Sequence, residues 1–181
     1  RFNHQMKMIV GEYTYGQQNI KEIFINEFPN VNLIIGKFCS IASNVSVYYG
    51  HGYHDTKSVS TYPFGYVHTN IFSSNKLNNG KTNGDIIIGN DVWIGDNVTI
   101  MSGCEIGDGS VLATNSHVVN NVPPYSIYGG NPAKLIKYRF DEDTIEKLIL
   151  IKWWNWDVEK IKQNIHLLNN NNINEFIESH L

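Results

Sequence analysis

Cysteine, charge and long apolar runs are all scarce in this chain of 181 residues, and each scarcity removes a class of function. Two cysteines, Cys39 and Cys104, do not make a disulfide framework or a metal-binding pair by their spacing. Charged residues make up only 17%, and their near balance leaves a net charge of −3. That argues against a nucleic-acid partner or an anionic membrane, although a local basic patch for a small phosphorylated ligand stays compatible with it. No apolar run approaches the length of a membrane span, and the N-terminal residues show no charged head followed by an apolar core. A reducing cytoplasm is therefore the expected compartment. The chain opens on Arg1 rather than methionine, as one cut from a longer protein would. What remains, with hydrophobic residues at 41%, is a globular composition long enough for one well-buried domain.

What is abundant is a period. From Ile88 a step of six lands on Ile94, Ile100, Ile106, Leu112 and Val118, all branched aliphatics. Four residues after each come Val92, Val98, Cys104, Ser110, Ser116 and Val122, all small or β-branched. An earlier copy reads Ile35-Gly36-Lys37-Phe38-Cys39-Ser40, then Ile41-Ala42-Ser43-Asn44-Val45-Ser46. Six fits neither a 3.6-residue helix nor simple alternation. It fits a triangular coil whose faces are short strands, with the aliphatic stacked inward on its equivalents and the small residue inward where there is little room. Asn90-Asp91, Asp96-Asn97 and Asp108-Gly109 suit the corners, because these residues tolerate left-handed backbone angles. The expected fold is an all-β-dominated left-handed parallel β-helix. Both cysteines take the small inward place, so they read as buried structural thiols.

The repeat organises the rest. Residues 1–30 precede it and 31–48 carry its first copies. An excursion of about residues 49–84 breaks it, and 85–129 resume it. An excursion that long, rich in Gly, Asn, Ser, His and aromatics, is usually functional. From Asp141 the pattern turns helical, with Asp141 or Asp143 as N-cap, a second helix over Val158, Ile161, Ile165 and Leu168, and a third over Ile173, Phe176 and Ile177. Residues 1–140 are read as the β-helical domain and 141–181 as its C-terminal helical extension. The run Asn169-Asn170-Asn171-Asn172 reads as a solvated turn, and Trp153-Trp154-Asn155-Trp156 as packing rather than a carbohydrate platform.

The chain resembles the hexapeptide-repeat xenobiotic acetyltransferases, which include streptogramin, chloramphenicol and related sugar acetyltransferases. The resemblance lies in Ile35-Gly36-Lys37-Phe38-Cys39-Ser40-Ile41-Ala42, the segment from His54 to Ser60-Thr61-Tyr62-Pro63-Phe64, and Ile88-Gly89-Asn90-Asp91-Val92-Trp93-Ile94-Gly95. It continues in Gly129-Gly130-Asn131-Pro132-Ala133-Lys134, Arg139-Phe140 and Ile151-Lys152-Trp153-Trp154-Asn155-Trp156. It implies acetyl transfer from acetyl-CoA, as co-substrate and without a metal, to a small-molecule acceptor.

Such a reaction needs a base for the acceptor proton, and an imidazole can serve at neutral pH. Among seven histidines, His54 matches the position of the family's catalytic histidine, with His51 as the fallback. The family commonly carries Arg after its histidine where this chain has Asp55, which bears on the acceptor contacts. Tyr13 and Tyr15 resemble aromatic residues that line the acceptor pocket; Trp93 protrudes where the repeat expects a corner residue, and the resemblance puts it near the active site. Lys134, Lys137 and Arg139 form a cationic cluster suited to the phosphates of coenzyme A. The family lays the donor in a groove between the coils of adjacent subunits, which makes Gly103, Ala113 and Asn115 further candidates.

A homotrimer is expected, with active sites between subunits and neither a nucleic-acid nor a membrane partner. The acceptor is expected to be an amino or hydroxy sugar, with a streptogramin- or chloramphenicol-type antibiotic as the alternative. Two other classes share the coil: a zinc carbonic anhydrase using His54, His68 and His117, and a non-catalytic scaffold.

Overall fold

The computed structural model describes residues 8–24, 26–52, 54–73 and 80–181. The first seven residues of the proposed 1–140 domain, and residues 53 and 74–79 of the excursion, lie outside that set. Among the described residues five strands precede the excursion: β1 (Met8–Val10), β2 (Ile20–Ile23), β3 (Leu33–Ile35), β4 (Ser40–Ile41) and β5 (Val45–Tyr48). Eight follow it: β6 (Ile86–Ile88), β7 (Trp93–Ile94), β8 (Thr99–Met101), β9 (Glu105–Ile106), β10 (Val111–Leu112), β11 (His117–Val118), β12 (Ser126–Gly129) and β13 (Lys134–Tyr138).

They form the three faces of a left-handed prism. The first face is β1-β3-β6-β9, the second β4-β7-β10-β12-β13 and the third β2-β5-β8-β11, and all neighbours are parallel except β12 and β13. The register stacks like on like. Ile35 pairs with Ile88 and Ile88 with Ile106 on the first face, Ile41 with Ile94 and Ile94 with Leu112 on the second, and Val47 with Ile100 and Ile100 with Val118 on the third. All nine are buried, so Ile88, Ile94 and Ile100 each sit between two others and the stack loses its contact with water.

The corners recur with the same period. Phe38, Asn44, Asp91, Asn97, Gly103, Gly109 and Asn115 all have φ between +54° and +77°, each three residues after an inward aliphatic. The small inward places hold Ser110 and Ser116, whose hydroxyls donate to the carbonyls of Gly107 and Ala113 three residues earlier. A buried hydroxyl is thereby satisfied within its own corner. Cys39 and Cys104 occupy the same place; burial pushes the Cys39 thiol up to about 11 and raises that of Cys104, so both are structural.

The coil starts earlier than the repeat suggests. Residues placed ahead of it contribute β1 and β2, and Tyr15 bridges Ser40, so a complete turn precedes β3. Val10 pairs with Ile35 across twenty-five residues rather than eighteen, because the connection from β2 to β3 is longer than a corner needs and shifts the period.

Three helices close the C-terminal side: α1 (Glu142–Ile151), α2 (Val158–Leu168) and α3 (Ile173–Glu178). Their N-caps are Asp141, Asp157 and Asn172, whose side chains accept from Thr144, Lys160 and Glu175 amides. They enclose a second core of Tyr125, Leu148, Trp154, Leu167, Phe176 and Ile177. Trp153 packs on the corner residue Phe38 at 4.8 Å, so the tryptophan cluster fastens the helices to the coil. Arg139 joins the two parts, donating to the Gly109 carbonyl at 2.6 Å and lying 3.7 Å from Asp91. Burial raises the Asp91 carboxyl to about 6 against the pull of Arg139.

Candidate active site

The excursion leaves the third face after β5 and returns to the first face at β6, so it springs from the prism edge opposite the second face. Its neck is pinned at both strands. The His51 amide donates to the Lys81 carbonyl at 2.6 Å, and Asn83 donates to the Ser102 hydroxyl at 3.1 Å. Gly103 turns the corner beneath the returning segment. Its amide donates to Gly84, and a Cβ there would lie 2.5 Å from Asn83 Cβ, so the glycine admits the excursion's close approach.

Beyond the neck, His54 stands exposed with Nδ1 2.8 Å from the Thr61 carbonyl oxygen. A carbonyl only accepts, so the contact places the proton on Nδ1 and leaves the lone pair of the neutral ring on Nε2. Between those two residues the loop is wound by Asp55, whose carboxylate accepts from the Lys57 amide at 2.9 Å and the Ser58 hydroxyl at 3.2 Å. Past Thr61, Tyr62 packs on Phe64 at 4.8 Å and Phe64 on Phe72 at 5.5 Å, giving an exposed aromatic cluster one residue from the carbonyl that holds the histidine.

The remaining candidates lie elsewhere. Tyr15, Ser40, Trp93, Val111, Ile127 and Lys137 form one laterally paired row on the second face. Trp93, expected at a corner, is instead the outward residue of β7, because it immediately precedes the inward Ile94 in a two-residue strand. It is 59% exposed and Tyr15 is 64% exposed, so the row presents aromatic area to a partner or ligand. Ala113 is near Gly129, which pairs with Lys134, and Asn115 turns the same corner, so these three gather at the C-terminal end of that face. Tyr13 lies apart, at the edge between first and second faces, stacked on Phe38 at 4.9 Å. Among the described residues no hydrogen bond links His54 to Trp93, Lys134 or Lys137.

Among the described residues no three His, Cys, Asp or Glu side chains form a group able to hold a metal ion. His117 belongs to β11, while His68 lies in a turn of the excursion at φ +50°. The zinc alternative thus lacks its ligand set there. Nor is any helix among the described residues long and apolar enough to cross a membrane. Thr61 and Ser40 carried no signal in the sequence: the first acts through its backbone, and the second matters as Trp93's lateral neighbour.

A β-helix of hexapeptide turns interrupted by a long excursion points to an acyltransferase class, and comparison with known proteins agrees. Residues 85–120 match the bacterial transferase hexapeptide (six repeats) family. A protein from Lysinibacillus sphaericus named "Probable macrolide acetyltransferase" is 47% identical over 148 residues, covering 78% of this chain and 79% of that one. A chloramphenicol acetyltransferase from Agrobacterium fabrum is 37% identical over 175 residues, covering 92% and 84%. The solved structure of a hexapeptide-repeat acetyltransferase from Vibrio cholerae, complexed with acetyl-CoA, superposes with a TM-score of 0.51 at 27% identity. It matches 73% of this chain, which spans 60% of that one. The chain belongs to the hexapeptide-repeat acetyltransferases, and it is an enzyme of acetyl transfer.

Proposed function

We propose that this protein moves an acetyl group from acetyl-CoA to a hydroxyl of a small, ring-bearing acceptor, with His54 as general base. The observation that carries the reading is the contact between His54 Nδ1 and the Thr61 carbonyl, which turns a free Nε2 lone pair outward on the excursion. The acceptor hydroxyl gives its proton to Nε2 as its oxygen attacks the thioester carbonyl. The C–S bond then breaks, and the leaving thiolate takes the proton back from the imidazolium. One ester bond forms, one thioester bond is lost, and the histidine returns to its starting state.

The donor-binding part of the site is assigned to the second face. Trp93 offers aromatic surface, and Lys134 and Lys137 offer charge for phosphates, with Ala113 and Asn115 beside them; Tyr15, on the same row, is kept for the acceptor. That face is opposite the edge from which the His54 loop departs. A site using both therefore draws on two copies of the chain, which supports a trimer with its active sites between subunits. The laterally paired stripe of Ile9, Ile34 and Ile87 on the outside of the first face supports assembly as well, since an isolated chain leaves it in water.

For the acceptor we infer an antibiotic alcohol rather than a sugar. The Tyr62, Phe64 and Phe72 cluster beside Thr61 suits an apolar ring-bearing molecule, and the relatives named for macrolide and chloramphenicol acetylation point the same way.

The test is thiol release from acetyl-CoA with chloramphenicol, a streptogramin, a macrolide, amino sugars and nucleotide sugars. Turnover with one of the antibiotics is expected, and turnover with a sugar alone would overturn the acceptor assignment. His54→Ala should lower kcat about 10²–10⁴-fold with acetyl-CoA affinity nearly intact. His51→Ala, whose residue is anchored through its backbone, should cost far less. Retention of more than about a tenth of kcat by His54→Ala would move the base elsewhere.

A further inference from the structure

Thr61 is seven positions along the chain from His54, a step that could reach roughly 24 Å if extended. The structure nevertheless returns the Thr61 carbonyl to within 2.8 Å of the ring of His54. Something must reverse the chain inside that interval, and the hydrogen bonds identify it. Asp55 accepts from the Lys57 amide through one carboxylate oxygen and from the Ser58 hydroxyl through the other. The Ser58 amide also donates to the Asp55 carbonyl at 3.2 Å. Residues 55–58 are thus drawn into a turn directly after the histidine, as a side-chain carboxylate accepting from the amide two residues on tends to do. A second local bond, from the Tyr62 amide to the Ser60 hydroxyl at 3.1 Å, orients the carbonyl end of the interval.

We propose that Asp55 is a positioning residue for His54: it winds the turn that carries the Thr61 carbonyl back to Nδ1, and so holds the ring in the tautomer with its lone pair on Nε2. The inference rests on His54 being the base, but it gives Asp55 a different task from contacting the acceptor. Its carboxylate is engaged with its own loop, and its influence on the chemistry passes through the Thr61 carbonyl. The turn needs an acceptor for the Lys57 amide and a partner for the Ser58 hydroxyl. An Asn side chain also supplies both, its oxygen accepting from the amide and its NH2 donating to the hydroxyl. The role is therefore open to Asn, partly open to Ser, and closed to Ala.

The experiment combines kinetics with nitrogen-15 NMR of histidine-labelled, full-length protein, the His54 resonances being assigned by their loss in His54→Ala. Asp55→Ala is expected to lower kcat about ten- to hundredfold, the scale on which misplacement of a reacting group acts, while the KM for acetyl-CoA stays unchanged. Its His54 Nδ1 signal should move from the N–H-bearing position of the wild type toward a mixture of tautomers. Asp55→Asn should restore both kcat and the wild-type nitrogen shifts. Equal loss in Asp55→Asn and Asp55→Ala would overturn the proposal and return the residue to a charge contact with the acceptor. So would wild-type kcat and nitrogen shifts in Asp55→Ala. Either result leaves the base assignment standing, because that fails only if His54→Ala stays active.

Discussion

If each active site takes its base from one subunit and its donor-binding face from the next, two crippled enzymes should repair each other. Let one variant be His54→Ala and the other Trp93→Asp, which removes the indole of the second face and sets a carboxylate where an anionic donor would lie. The first should lose about 10²–10⁴-fold in kcat. The second should lose the burial of an aromatic side chain, about 1.5–3 kcal/mol, or roughly ten- to a hundredfold in turnover. In a closed ring of three, any mixed trimer holds two copies of one variant and one of the other. Going round the ring, just one of its three sites then joins an intact His54 to an intact Trp93 of its neighbour. Mixed trimers isolated through two different affinity tags should therefore recover about a third of wild-type activity, well above either parent. If a single chain supplied both residues, every site would carry one lesion, and the mixture would stay at the mean of the parents. The assay is thiol release from acetyl-CoA, with the trimer checked by light scattering. No recovery in verified mixed trimers would refute the reasoning from the opposed loop and face.

Two further outcomes follow from the packing. Ile94 is sealed between Ile41 and Leu112 by backbone pairing on both sides, so its walls cannot collapse; Ile94→Ala should cost about 3–4 kcal/mol in urea unfolding. Leu150→Ala, on the exposed side of α1, should cost less than about 0.5 kcal/mol, and equal losses would count against the stacked core. Asp91 titrates near 6 when folded against 3.8 otherwise, so the native state holds that proton more tightly and loses stability as pH rises from about 4 to above 6. Asp91→Asn, which keeps a residue tolerant of the left-handed corner, should match the wild type near pH 4 and exceed it in Tm at pH 7; parallel Tm profiles would refute this.

Much of the fold was legible because a coil repeats one physical problem. Ile88, Ile94 and Ile100 each need the same pocket, and Asp91, Asn97 and Gly103 each need the same left-handed corner, so the period shows through the side chains. The opening turn was hidden because the long connection from β2 to β3 throws Val10 out of phase with Ile35. Trp93 was misplaced at a corner for the opposite reason: the strand is so short that its one outward residue looks like part of the turn. The period lapses between β5 and β6, and His54 was singled out by resemblance. Its holding contact was not, because the Thr61 carbonyl belongs to every residue type alike and depends on how the loop is wound. That the loop leaves the edge opposite the second face was equally invisible, since it depends on which strands the excursion joins.

A parallel coil in principle has no natural end, since its last rung offers the same row of amides and carbonyls as any other. In this protein the second face is finished by β13, which runs antiparallel to β12. The first face ends at the Ile106–Val122 bridge, after which Pro123 and Pro124 cross over Gly107 with no amide hydrogen to donate. The C-terminal end is thereby blunted against another coil docking end to end, and growth into filaments is blocked where an unfinished edge would template it. A chain cut before Pro123 should accordingly be a fibre former, its solubility limited by the very regularity that makes it fold.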